Sequence, residues 1–358
     1  MLYDMQKPLT EKEKLVLHAI IKNPLGTDLL LAEAVGLKPT TFTAIRRRLK
    51  KDGYYSVIRI PSVRELGGEV FAATYCNYKA SVPLNIRLIT GRRLVEIHGE
   101  VFWAGSEYSQ AISFQFARNF TEAKKNVVEM EQLYMAQGFL SDGGITFLAF
   151  PFELAEFPYF FDYEPLLRQS FGIAGLGEPS GFPRGSACPK LTATGKKVYR
   201  GLIENPELND REVASRIGVS QRTVAKLRKD FEVGGLFKTI AVPDLQKLGF
   251  KMLALDHAKL NFRIPAHERR EILKALVDIK PPILLAIDGD DVVALTAYED
   301  FSIYRRSINS FSEVYKRDDI FIGEPKRMLF SLPEMEMLKA HVYGPCVEKL
   351  LGEGAKKQ

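Results

Sequence analysis

Two short stretches of this chain present the same kind of polar and basic surface. One carries Thr40, Thr41, Thr43, Arg47, Arg48 and Lys51; the other carries Ser220, Gln221, Arg222, Thr223, Lys226 and Lys229. Hydroxyl, amide and guanidinium groups of this kind can hydrogen-bond base edges in a DNA groove, and cationic side chains can pair with phosphates. A single basic helix is usually a solvated surface. Here the same face recurs behind the same punctuation, so Thr41, Thr43, Gln221 and Arg222 are candidate base readers. Arg47, Arg48, Lys226 and Lys229 are candidate phosphate anchors.

The recurrence belongs to a longer duplication. The stretch from Leu9 to Gly67 reappears from Leu191 to Gly249 without a gap, at an offset of 182 residues. Pro24 and Pro206, Asp28 and Asp210, Gly36 and Gly218, Arg46 and Arg228, Gly53 and Gly235, and Pro61 and Pro243 all coincide. Such a period is too long for a solenoid repeat and marks a duplicated domain.

Each copy reads as three helices and a strand. Thr10 is a candidate N-cap, with Glu11 and Glu13 in the first turn, and Asn23-Pro24 stops the first helix. Asp28 opens a second helix that Gly36 ends, and Thr40 or Thr41 is placed to cap a third. Phe42, Ile45 and Leu49 make its inward stripe, matched by Val224, Leu227 and Phe231. A glycine and an extended apolar run follow, YYSVIRIP or LFKTIAVP. Helices, tight turn and strand pair make a winged helix-turn-helix.

After each copy the pattern changes to β-α-β-β-α-β, the order of a ferredoxin-like sheet. The fold class predicted is therefore α+β: two winged helix-turn-helix domains, each followed by a ferredoxin-like βαββαβ domain. The expected boundaries are 1–67 and 191–249 for the helical domains and 68–171 and 250–358 for the sheet domains. Residues 172–190, with five glycines and three prolines, read as a linker or as an ordered strap. Near the two unit ends, Tyr163-Glu164-Pro165 corresponds to Tyr343-Gly344-Pro345.

Composition constrains the rest. The chain has 358 residues, 46% hydrophobic and 26% charged, with a net charge of +6 and a pI near 9.0. That balance permits a nucleic-acid partner without requiring one. Cys76, Cys188 and Cys346 stand far apart, which disfavours a zinc site or a disulfide framework. No signal core is present, and no run approaches the ~18 apolar residues of a membrane span. A cytoplasmic protein is expected, with no membrane, metal or cofactor. GLGEPSG lacks the lysine of a phosphate loop, and neither HExxH nor GxSxG occurs. Among the histidines, none occupies matching positions in the two copies; His257, in a strand, is the most plausible pocket residue, and a satisfied core histidine is its plain reading. His18 reads as exposed or helix-packing.

The segment ELNDREVASRIGVSQRTVAKLRKDFEVGGLFKTIAVPDLQKLGF, ahead of a βαββαβ unit, resembles the Lrp/AsnC (feast-famine) transcriptional regulators. The resemblance runs over nearly the whole chain, twice. It implies a tandem fused pseudo-dimer that binds double-stranded DNA as a transcriptional regulator and is not an enzyme. It also implies a small effector, an amino acid in that family, and further pairing of chains through the ferredoxin-like domains. The turn Asp288-Gly289-Asp290-Asp291 is similar to the family's Gly-x-x-Asp-like turn, making Gly105, Tyr108, Asp288, Gly289 and Asp291 candidate effector residues. The recognition helices would enter major grooves about one turn (~34 Å) apart. The alternative implied by resemblance is an enzyme: siroheme decarboxylases look like Lrp/AsnC proteins with two related halves. That chemistry needs cationic clamps for carboxylates and a proton donor.

Overall fold

A computed structural model describes residues 8–175, 179–183, 185 and 191–352 of the chain. Nine residues of the expected linker, Cys188 among them, lie outside the described residues.

The first half opens with helices α1 (Glu11–Lys22), α2 (Asp28–Ala34) and α3 (Pro39–Lys51). Thr10 closes a capping box with Glu13 at the start of α1. The third helix begins earlier than a threonine cap would place it: Lys38 is the N-cap without a side-chain bond, and Pro39 sits at the first helical position. The second half repeats the trio as α7 (Ala193–Glu204), α8 (Asp210–Ile217) and α9 (Gln221–Val233). Gly36 and Gly218 take left-handed φ values of 67° and 63°, which lets the chain leave the second helix and turn sharply into the third.

The wing is completed across the halves. β1 (Tyr55–Pro61) and β7 (Phe237–Pro243) pair antiparallel with each other, Ile58 opposite Ile240. Those two residues are 182 apart, so the ribbon is centred on a pseudo-twofold axis.

The sheet domains follow the expected order. The first contains β2 (Val70–Tyr78), α4 (Leu84–Ile97), β3 (Val101–Ser106), β4 (Gln110–Ala117), α5 (Phe120–Ala136) and β5 (Leu140–Pro151). Then β6 (Glu156–Phe160) leads to α6 (Glu164–Ser170). The second contains β8 (Met252–Lys259), α10 (Ala266–Ile279), β9 (Leu284–Asp288), β10 (Asp291–Tyr298), α11 (Phe301–Asp318) and β11 (Lys326–Ser331), followed by β12 (Glu336–Lys339) and α12 (Gly344–Gly352).

Each half lends a strand to the other. The two sheets run β12-β3-β4-β2-β5 and β6-β9-β10-β8-β11. Thus β6 caps the edge of the second sheet and β12 the edge of the first, at symmetry-related positions. Between them lies one hydrophobic core that includes residues of both helical domains and both sheets. Phe71 of β2 is fully buried, 5.6 Å from Phe157 and 5.7 Å from Phe160 of the exchanged strand β6. Part of the inter-half segment is a strap: Phe182 stacks at 4.7 Å on Phe152, and Ser62 Oγ donates to the Pro183 carbonyl at 3.0 Å.

A core shared this way should melt as a unit. Denaturant unfolding is expected to show a single transition for both halves. Phe71→Ala should lower its free energy by about 3–5 kcal/mol, and separate transitions for the halves would contradict the shared core.

Candidate functional site

The helix faces singled out in the sequence are largely open. Thr40, Thr41, Arg47, Arg48 and Lys51 on α3 are exposed, as are Gln221, Arg222, Lys226 and Lys229 on α9 with Ser220 before it. Several have structural work to do. Thr43 Oγ1 donates to Asp28 at 2.5 Å, and Ser220 Oγ accepts from the Thr223 amide at 3.1 Å as the cap of α9. Arg48 forms an ion pair with Glu13. Arg46 and Arg228, one residue back from the cationic face in each copy, bind Asp28 and Asp210 at 2.7 Å. These matched pairs fasten the third helix to the second.

The candidate effector residues do not form one pocket. Gly105 lies in β3, where a Cβ would fall 1.9 Å from the terminal methyl of Met335, so the glycine makes room for the other half. Tyr108 is half-exposed and donates to the Ala80 carbonyl at 2.9 Å. Gly289, at φ 53°, makes the β9–β10 turn. Burial and the neighbouring Asp291 and Asp290 charges push the Asp288 carboxyl up. Asp291 serves His257, whose Nε2 lies 2.9 Å from its carboxylate and whose Nδ1 lies 2.9 Å from the Tyr75 hydroxyl. Tyr75 and His257 are 182 residues apart, so this bond spans the axis, and the plain reading of a satisfied core histidine describes His257. His18 is buried, with Nε2 2.9 Å from Glu164 on α6. Burial alone would raise Glu164; the hydrogen bond and charge of His18, with Arg168 and Lys22, outweigh it and hold the carboxyl below its usual range.

The residue that sequence reasoning missed is His341. It follows β12 and takes a left-handed conformation, φ 54°. Phe161, after β6, does the same at φ 50°. Each stands two residues before the matched tyrosines Tyr163 and Tyr343. The two rings meet edge to face at 4.5 Å, one position of the duplication touching its counterpart. His341 Nε2 lies 3.4 Å from the Tyr163 hydroxyl and Nδ1 3.1 Å from the Tyr343 hydroxyl. Burial lowers its imidazole to about 3. The residue as a whole is half-buried.

His341 walls a cavity of about 500 Å³, together with Tyr55, Trp103, Phe161, Tyr163 and Gln246. A second cavity of about 550 Å³ shares Phe161 and Tyr163 and adds Lys22, Asp162, Glu164 and Lys238. Both run along β7, the first from Val242 onward and the second beside Lys238–Ala241. Lys238 hydrogen-bonds Ser180 and the Gly181 carbonyl of the strap. Burial lowers its ammonium, with the Asp162 charge opposing.

The symmetry breaks where the second cavity lies. Ala241 lines it, and the counterpart of Ala241 is Arg59. Arg59 is buried and donates to the Leu202 carbonyl at 2.7 Å. A small residue leaves space in one half, and a long side chain stands at the matching position of the other.

No protein-family profile matches the chain, and no curated protein does. Solved structures do. The siroheme decarboxylase NirDL matches over 97% of this chain and 100% of that chain, with 13% identity and a TM-score of 0.50. Its complex with an iron-uroporphyrin III analogue matches over 97% and 99%, with 13% identity and a TM-score of 0.51. The transcriptional regulator NMB0573 of Neisseria meningitidis, in complex with L-Met, matches 39% of this chain and 90% of that chain, with 16% identity and a TM-score of 0.32, too low to bear weight. The α+β architecture is thus shared end to end with an enzyme. The expectation that the chain is not an enzyme is corrected by that full-length match.

His341 supplies a direct test of the cleft. Its folded pKa is depressed below the unfolded value near 6.5, so the unfolded chain binds the proton first and stability falls as pH drops from about 6.5 toward 3. The loss is up to ~1.4 kcal/mol per pH unit. His341→Phe, which copies Phe161, should flatten that part of the stability–pH curve; an unchanged curve would place His341 in an ordinary solvated environment.

Proposed function

We propose that the chain is an enzyme of the decarboxylase type, holding a planar, carboxylate-bearing tetrapyrrole of the siroheme class in the cleft along β7. The observation that carries this reading is His341: a neutral imidazole at the pseudo-twofold axis, hydrogen-bonded to two tyrosines and opening on an aromatic-walled cavity. Trp103, Phe161 and Tyr163 offer flat apolar surface to a ring system. Lys22 and Lys238, in the adjoining cavity, offer charge to its carboxylates. The cavity that contains His341 has no lysine or arginine in its lining. The one acidic residue of that lining, Asp244, pairs with Lys247 at 3.8 Å, so a substrate carboxylate there would meet little free positive charge, the electrostatic setting that favours release of carbon dioxide.

The chemistry balances without an oxidant. An acetate side chain loses carbon dioxide, its electron pair stays on the ring-bound carbon, and one proton completes a methyl group. A polyanion beside His341 raises the imidazole pKa, because nearby negative charge favours the protonated form. The proton donor is thereby charged by the arrival of its substrate. A positioned acid of this kind contributes roughly 10²–10⁴ in rate. The neighbours' full-length architecture supports the reading at the level of fold.

Incubation with siroheme should release carbon dioxide and yield products lighter by whole carboxyl losses. His341→Phe should still bind the tetrapyrrole, seen in its absorbance, while turnover falls by roughly 10²–10⁴. A wild-type protein that releases no carbon dioxide, or a variant that keeps full turnover, overturns the assignment.

The exposed cations of α3 and α9 favour a second reading, a regulator that binds double-stranded DNA as a pseudo-symmetric dimer, with a small effector and further pairing of chains. Arg47, Lys51, Arg222, Lys226 and Lys229 would supply its contacts. On that reading, binding to duplex DNA weakens steeply with salt, and Lys229→Ala reduces the slope by about one contact. Salt-independent or absent binding removes it.

A further inference from the structure

Leu29 and Leu30 stand in the first turn of α2, and both are exposed, at 66% and 54%. Leu25, in the turn before the helix, is 61% exposed. The other copy of the helical domain has charge at all three positions: Glu207, Arg211 and Glu212. Both halves fold the same three helices, so the scaffold does not require leucine here.

The start of α8 shows what the leucines displace. Asn209 is its N-cap, and Glu212, three residues on, accepts from the Asn209 amide at 2.9 Å, which closes a capping box. In α2 the cap is Thr27, whose hydroxyl accepts from the Leu30 amide at 3.3 Å. Leu30 holds the position of the glutamate, and an alkyl side chain cannot return the bond. One residue thus forgoes half of a cap and leaves apolar surface in water. A break of a local rule with no gain inside the fold points to a contact outside it.

The surroundings say what that contact is. Lys22 ends α1, Glu33 lies near the end of α2 and Lys38 precedes α3. All three are exposed, and none makes an ion pair among the described residues. A partner of uniform charge would be repelled by one sign of this set. A second copy of the same face is not, because Glu33 of each copy can meet a lysine of the other.

We propose that this face of α2 docks a second copy of the chain across a twofold axis, with Leu29 and Leu30 of each copy against those of the other. Such a contact uses one patch on both copies and closes at two. Only the first half carries the leucines, so each chain offers a single face and no fibre grows. Three partly exposed leucines present far less than the roughly 800 Å² per partner of a standard interface, so the pairing is reversible. The face belongs to the helical domain, not to the sheet domains through which pairing is expected from the sequence. It does not depend on the function proposed for the cleft.

A second apolar face provides the control. Ile86 and Ile89 on α4 are 46% and 66% exposed where the other half has Glu268 and Glu271. The N-cap there is Pro83, with no side-chain bond, so isoleucine displaces no capping box.

Sedimentation equilibrium of the full chain should show a mass that rises with concentration from 40.4 kDa toward twice that value. Leu29→Arg combined with Leu30→Glu copies the start of α8. It should weaken the pairing by roughly 100-fold or more and melt no lower than the wild type, because it completes the capping box with Thr27. Ile86→Glu combined with Ile89→Glu should leave the pairing unchanged. A wild type that stays monomeric up to millimolar concentration overturns the proposal. So does pairing that survives the α2 variant, or that the α4 variant alone abolishes. Should the α2 variant not fold, amide exchange of the wild type decides: slower exchange over residues 25–34 at high concentration supports the face, and unchanged exchange refutes it.

Discussion

The antiparallel pairing of β1 with β7, and the matching loan of β6 and β12 between sheets, is the constraint on which the molecule rests. Strand edges left open would invite association with other chains. Here each sheet edge beyond β3 or β9 is closed by a strand from the opposite half. The exchange also draws the aromatic residues Phe157 and Phe160 under the foreign sheet, so packing and backbone pairing reinforce one another. A free pair of subunits could separate along this surface; one chain holds both partners at the high effective concentration of a tether.

Covalent fusion has a second consequence. In a true dimer, every residue on the axis meets its own copy, and no substitution can act on one side alone. In this chain the two sides carry different residues. His341 faces Phe161, His257 faces Tyr75, and Ala241 and Arg59 share a structural position. Each pair converts a symmetric contact into a directional one. A histidine touching its own copy would face like-charge repulsion once protonated, whereas a histidine against a phenylalanine edge and two tyrosines does not. The cleft along β7 is therefore a product of divergence between the halves, laid on a scaffold that remains symmetric.

Much of this scaffold was legible in the sequence. Glycines at 36, 53, 218 and 235, the matches of Asp28 with Asp210 and of Arg46 with Arg228, and the switch from helical to alternating periodicity carry the α+β duplication, because local backbone and capping chemistry depends on neighbours in the chain. Long-range pairing did not show. The runs after Gly53 and Gly235 suggested a strand pair within each copy, yet nothing local says that the partner strand lies 182 residues away. The cleft was hidden for a related reason. Near β6 and β12 the register drifts from 182 to 180, so Phe161 and His341 fall out of alignment although Tyr163 and Tyr343 remain recognisable two residues later. The resemblance to DNA-binding regulators rests on the helical copies and their charged faces, and that surface says nothing about an interior pocket.

The cleft and the cationic helices are joined by β7. This strand lines both cavities and begins shortly after α9 ends at Val233. A ligand seated on β7 and a duplex seated on α9 would therefore bear on one element. Contact alone couples nothing: a ligand shifts an equilibrium only by the difference in its affinity for two states. Here β7 is held by seven paired positions along β1 and by Lys238 bound to the strap, so the ribbon has little room for a second state. The same rigidity that would make it a poor relay makes it a good wall, holding Phe161, Tyr163 and His341 at fixed spacing around whatever enters. β7 is thus better suited to be a fixed wall of the cleft than a relay between the cleft and the cationic helices.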